Sequence, residues 1–284
     1  MIYQYFELSK QAVDQYQRRQ GFKQAYQEDV IGRAQEKRLS HPRMGVRVLY
    51  DELQPEHLGR AGFEELLLKN GFRLKKLKSF LKTTYSSWTI YKNLIAGQTL
   101  TDVNQVWVSD ITYYFIGREV NYITTIMDLY SRKIIGYSGS SGMSAEESSI
   151  KALNIALRLR KGADLTGLKH HSDRGTQYRC KAYVDLLKNN KIQISMCKSV
   201  YDNSHMERLN GTLKNDYLIP LGVDTKEHFK SILPSIINRY NDDRPHSSLN
   251  KMKPTRFEAY IKNIPRRKRP VTKIKNESIT IYTN

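Results

Sequence analysis

The chain has 284 residues, 39% of them hydrophobic and 10% aromatic, enough to bury a core and to exclude wholesale disorder. Lysine and arginine number 47 against 28 acids, a net charge of +19 that points to a polyanionic partner, nucleic acid before a membrane surface. Two cysteines, Cys180 and Cys197, exclude a disulfide scaffold and any zinc module built on several cysteines. The opening residues lack the basic and apolar regions of a secretory signal, and no apolar run reaches the roughly 18 residues of a membrane span, so a soluble intracellular protein is expected.

Before about residue 100 the pattern is helical. Leu53, His57, Leu58 and Ala61 recur at helical offsets, as do Phe63, Leu66 and Leu67. Gly71 reads as a stop, after which Leu74, Leu77 and Leu81 resume the pattern. Residues 69–92 hold seven basic residues (Lys69, Arg73, Lys75, Lys76, Lys78, Lys82, Lys92) and no acid. That run is either a solvated helix face or a phosphate-contacting surface.

From residue 105 the composition turns β-branched and aromatic. Residues 106–115, 120–127 and 134–137 read as three strands of an antiparallel meander, with Gly117 in the first turn and 128–133 as the second. A helix is expected over 144–160, with Ser144 as N-cap and Glu146 and Glu147 in its first turn. Then come a strand at 168–171, a helix at 182–189, a strand at 192–195, a helix from Ser204 and another over 226–240. This is α/β order with a mixed sheet. Arg266, Arg267, Lys268 and Arg269, with Lys273 and Lys275, suggest a mobile basic tail.

Phosphodiester chemistry favours carboxylates on rigid elements, where they hold hard divalent cations. Asp110 lies inside the first strand, where Asp is depleted; it is either an edge residue or a ligand. Asp173 follows the strand at 168–171, where α/β sites lie, yet Asp-Arg-Gly is also turn chemistry. Glu207 forms a possible capping box with Ser204, but it also shares a helical face with Asn210, Gly211 and Lys214, opposite Met206, Leu209, Leu213 and Tyr217. Gly211 within a helix suggests that something approaches that face closely. Asp128 reads as a hairpin residue. His170 and His171 near Cys180 fit no standard zinc spacing, and Tyr113 or Tyr114 lacks the Arg-His setting of a tyrosine recombinase.

Trp107-Val108-Ser109-Asp110-Ile111-Thr112-Tyr113, His171-Ser172-Asp173-Arg174-Gly175-Thr176-Gln177-Tyr178 and Tyr201-Asp202-Asn203-Ser204-His205-Met206-Glu207-Arg208 with Gly211-Thr212-Leu213-Lys214 resemble the three catalytic blocks of OrfB-type transposases of the insertion-sequence-three family. Tyr240-Asn241-Asp242-Asp243-Arg244-Pro245-His246-Ser247-Ser248-Leu249 matches a fourth block, and His41-Pro42-Arg43-Met44-Gly45-Val46-Arg47 resembles the segment upstream of the core. Between Asp173 and Glu207 the chain is about two residues shorter than the family's usual spacing, which puts loop contacts to DNA in doubt more than the acids.

The resemblance implies a ribonuclease-H-like mixed five-stranded sheet flanked by helices, behind an N-terminal helical region. Its domains would be 1–98, helical and DNA-binding; 99–262, the catalytic core; and 263–284, the tail. It implies a DNA transposase subunit that nicks and joins strands, with Asp110, Asp173 and Glu207 holding two Mg2+ ions, or Mn2+ as substitute. DNA contacts would come from Lys214, Arg208, Lys75, Lys76, Lys78, Arg266, Arg267, Lys268 and Arg269. It further implies an OrfA-type partner or fusion, a homo-oligomer on DNA and a cytoplasmic, nucleoid-associated location. The alternatives are a nuclease of the same fold without strand transfer and a non-catalytic DNA-binding protein.

Overall fold

The computed structural model describes residues 9–75, 91–197 and 203–274. They form two compact units, one within 1–77 and one within 78–284. No helix among the described residues is long and apolar enough to cross a membrane.

The first unit comprises α1 (Lys10–Ser40), α2 (Val46–Leu53) and α3 (Arg60–Lys69). Ser9 Oγ caps α1 by accepting the Ala12 N–H at 3.1 Å. Val30 and Ala34 from α1 pack with Met44, Leu49, Phe63, Leu67 and Phe72. Arg38 stitches this core together, donating to the Met44 and Phe72 carbonyls and lying 4.6 Å over the Phe72 ring. The expected helical run falls on α2 and α3, with His57 between them and Gly71 (φ +81°) as the stop. Leu74 and Lys75 stand outside any helix; Lys76, Leu77, Lys78, Leu81 and Lys82 lie outside the described residues. The 31-residue α1 has little sequence signal, because only Val30 and Ala34 along it are buried and no apolar stripe marks it.

In the second unit, β2 (Val106–Ile116), β3 (Glu119–Asp128) and β4 (Ile134–Ser140) form the expected meander, turning at Gly117 with φ +61°. β5 (Lys169–Ser172) and β6 (Gln193–Met196) join in parallel, giving the order β4-β3-β2-β5-β6. This is the ribonuclease-H-like arrangement. One face of the sheet packs on α4 (Ser149–Leu159), the short α5 (Thr176–Arg179) and α6 (Lys181–Asn189) through Trp107, Ile126, Ile135, Ala152, Ala156, Tyr178 and Tyr183. The other packs on α7 (Ser204–Gly211), a π-helical segment (Thr212–Leu218), α8 (Lys226–Asp242) and α9 (Pro254–Lys262) through Val108, Ile123, Met206, Leu213, Tyr217, Phe229 and Phe257.

Three expectations are corrected. The division between units falls at 77/78, and residues assigned by sequence to the region 1–98 pack in the second unit: the Leu94 N–H donates to Ser195 Oγ and Ile95 is buried in the sheet's core. The helix expected from 144 starts at Ser149; Ser144 Oγ accepts the Glu147 N–H, but in a turn ahead of the helix, where serine hydroxyls take the carbonyls of Ser144 and Ser148. The tail is docked over its described part, 263–274. β1 (Thr99–Leu100) pairs with β7 (Thr272–Lys273), Tyr130 Oη donates to the Pro270 carbonyl at 2.8 Å, and Arg266 and Arg269 pair with Asp102.

Candidate active site

Strand register brings Asp110 and Asp173 together. β2 and β5 run parallel with Val108 opposite His171, and each acid lies two residues further on, at the carboxyl end of the pair and on the same face of the sheet. α7 packs against that face. Its Met206 and Leu209 are buried in the core, and the Asn210 side chain donates from Nδ2 to Asp110 Oδ2 at 2.7 Å. Glu207 is one helical turn before Asn210 on the same face and is exposed.

Asp110 and Asp173 feel the cost of this placement. Burial, with the negative charges of Asp173 and Glu207, pushes the Asp110 carboxyl up to about 7; the Ile111 N–H and Asn210 oppose the rise. Burial also raises Asp173, against the Gly175 N–H, which donates to its Oδ1 at 2.9 Å, and the nearby charge of Arg179. Among the described residues, no three His, Cys, Asp or Glu side chains stand close enough to hold one metal ion. The acids are therefore electrostatic neighbours rather than a closed chelate. Their chemistry nonetheless fits a hard cation: all-oxygen donors, on rigid elements, whose mutual repulsion such a charge would relieve.

The capping-box alternative for Glu207 does not hold. The N-cap of α7 is Asn203, so Ser204 is the first helical residue and Glu207 is one place too late for the reciprocal bond. Asn203 instead donates from Nδ2 to the Ser109 carbonyl at 3.2 Å, pinning the start of α7 to β2. Ser109 and Tyr178 share a buried hydrogen bond of 2.9 Å beneath the acids. Sequence reasoning placed Asn210 on the polar face of α7 but did not find its bond to Asp110, and it missed the Asn203 anchor.

Lys214 is not at the surface: it is 8% exposed, with Nζ 5.1 Å over the Tyr113 ring. Burial lowers its pKa, and the charge of Asp110 opposes this. It sits in the π-helical segment that continues α7, a geometry frequent at functional sites. Arg208 is exposed on α7, and Lys75, Arg267 and Lys268 are exposed elsewhere. Asp128 is the hairpin residue expected, its oxygens accepting the N–H groups of Asn104, Tyr130 and Ser131. His170 hydrogen-bonds Tyr183, His171 bonds Ser195, and Tyr114 Oη donates to the Val223 carbonyl.

Residues 101–201 and 190–254 each match the integrase core domain family. The chain is 34% identical over 222 residues to the insertion element IS600 uncharacterized 31 kDa protein of Shigella sonnei, covering 75% of this chain and 80% of that one. It is 30% identical over 198 residues to transposase InsF for insertion sequence IS3A of Escherichia coli K12, covering 68% of each. Among solved structures it resembles the HTLV-2 integrase catalytic core domain in complex with magnesium, with a TM-score of 0.44 and 18% identity over 59% of this chain and 99% of that one. It also resembles a simian T-cell lymphotropic virus intasome, with a TM-score of 0.47 and 14% identity over 85% of this chain and 77% of that one.

Proposed function

We propose that Asp110, Asp173 and Glu207 are the catalytic acids of this chain, which belongs to the insertion-sequence-three family of transposases and is a DDE polynucleotidyl transferase. The observation that carries the assignment is geometric: paired strands β2 and β5 end in Asp110 and Asp173 on one face, and α7, which carries Glu207, is tied to that face by the Asn210–Asp110 bond. When bound by these carboxylates, two divalent cations (Mg2+, or Mn2+ as substitute) supply an activated oxygen nucleophile and stabilise the leaving oxygen of the cut strand.

The protein's own groups prepare the acids. Asn210 donates to Asp110 Oδ2 and the Ile111 N–H also holds that carboxyl, while the Gly175 N–H holds Asp173 Oδ1. Exposed Glu207 completes the set from α7. Lys214, held over Tyr113 near Asp110, balances negative charge at the floor of the site and contacts a phosphate that enters it. The substrate is DNA, transposon ends and target, and the chain works as an oligomer with an OrfA-type partner or fusion.

The test is Glu207→Gln. Because Glu207 does not cap α7, the amide leaves the fold intact. The variant should bind DNA normally yet nick and join strands at least about a hundredfold more slowly, roughly 2.7 kcal/mol in the barrier. Near wild-type strand transfer in magnesium would overturn the triad.

A further inference from the structure

Arg132 lies in the turn between β3 and β4. It is 9% exposed, and its backbone is left-handed at φ +61°, a conformation that bulky residues avoid. Its side-chain partner is His205 on α7, where Nη1 donates to Nδ1 at 3.0 Å. A guanidinium has only donors, so Nδ1 accepts, the ring proton is on Nε2 and His205 is neutral. That ring orients the guanidinium but brings no negative charge.

No carboxylate among the described residues pairs with Arg132. Asp128, whose charge it feels, is already engaged by three N–H groups and faces Arg160. Burial lowers the pKa of Arg132; Tyr240, whose neutral phenol is no counter-ion, opposes this, and a second cation, Arg208, lowers it further. A nearly buried guanidinium with no anion is strongly unfavourable. Retaining it on a strained backbone, where Asn or Gly would relax, points to a use outside folding. The planar fork of arginine matches phosphate oxygens, and Arg208 is the residue after Glu207 on α7.

We propose that Arg132, oriented by His205, and Arg208 form a phosphodiester-binding subsite that holds a DNA backbone phosphate beside Glu207. The source of the phosphate rests on the transposase reading; the anion site does not.

The experiment uses the full chain in two arms: thermal unfolding with and without inorganic phosphate, and duplex binding against salt. Phosphate should raise the melting temperature of the wild type and not of Arg132→Asn. Without phosphate, Arg132→Asn should melt no lower than the wild type, since Asn accepts the left-handed turn and removes the unpaired charge. Arg132→Asn and Arg208→Gln should each flatten the salt slope of duplex binding by about 0.9. Phosphate that fails to protect the wild type, or protects Arg132→Asn equally, overturns the subsite. A large loss of stability in Arg132→Asn with an unchanged salt slope makes Arg132 structural and overturns it too. Phosphate protection lost with the duplex slope unchanged overturns the DNA assignment. An active Glu207→Gln would sink the triad yet leave the phosphate arm untouched, so the two failures are distinguishable.

Discussion

Asp110 and His170 stand on neighbouring strands but on opposite faces of the sheet, and burial moves them in opposite directions. His170, bonded to Tyr183, is driven down to about 3, burial being the main cause and His171 the next. Its folded pKa lies below the unfolded one, so the unfolded chain takes up the proton first. The stability it contributes is complete above the ordinary histidine value of 6.5 and is lost as pH falls toward about 3. His170→Gln, which keeps an acceptor for Tyr183, should therefore show a shallower fall of melting temperature in acid than the wild type; equal falls would place the acid lability elsewhere. For Asp110 the sign reverses. Its carboxyl is raised to about 7 from 3.8, so the folded state favours the protonated form and loses stability as pH rises through about 7. In chelator, Asp110→Asn should melt above the wild type on the alkaline side of neutrality, and the gap should close in acid. A gap that does not change with pH would mean the carboxylate is not strained by its neighbours.

At the scale of elements, two glycines separate folding from function. Gly136 on β4 faces α4 so closely that a Cβ would overlap the Ala152 carbonyl oxygen and press on the Ala156 methyl. Gly136→Ala should cost about 3 kcal/mol in urea unfolding, because a backbone oxygen cannot yield as a side chain can. Gly211, last in α7, is different: a Cβ there would meet only Asn215 Nδ2, at 4.0 Å. Gly211→Ala should hold or raise stability, by up to about 1 kcal/mol of helix propensity. If it also weakens DNA binding, the bare face serves an external strand; unchanged binding would remove that reading. The meander and the polar face of α7 were legible in the sequence because each follows from local periodicity and turn residues, whereas the ribonuclease-H-like sheet was expected only from the family resemblance. Asp110 stood out as an acid inside a strand, but the residue alone left edge position and ligand open, and the family resemblance singled it out. The Asn210–Asp110 bond was not, since it joins positions a hundred residues apart. Nor was the start of α4, where serine hydroxyls rather than propensity decide the boundary, nor α1, whose faces look alike.

For the whole molecule, the excess of 47 basic over 28 acidic side chains predicts a steeply salt-dependent duplex affinity, to which only those cations that structure has not already engaged should contribute. The C-terminal cluster divides on this point. Arg269 is tied to Asp102, its Nε donates to the Ile264 carbonyl, and β7 beyond it pairs with β1. Removing the whole tail would thus confound lost charge with lost structure. Arg267 and Lys268 lie exposed in a single turn of 3-10 helix and offer the cleaner test. Arg267→Gln combined with Lys268→Gln should leave the melting temperature unchanged, weaken binding to all duplexes alike and flatten the salt slope by about 1.8, roughly 0.9 for each phosphate no longer neutralised. Arg269→Gln should instead lower the melting temperature, because it unties the chain end that covers Tyr130. An unchanged slope in the double variant would show that these cations do not meet DNA. A loss confined to one sequence would show that they read bases, which two flexible, solvated side chains on a short turn are poorly placed to do.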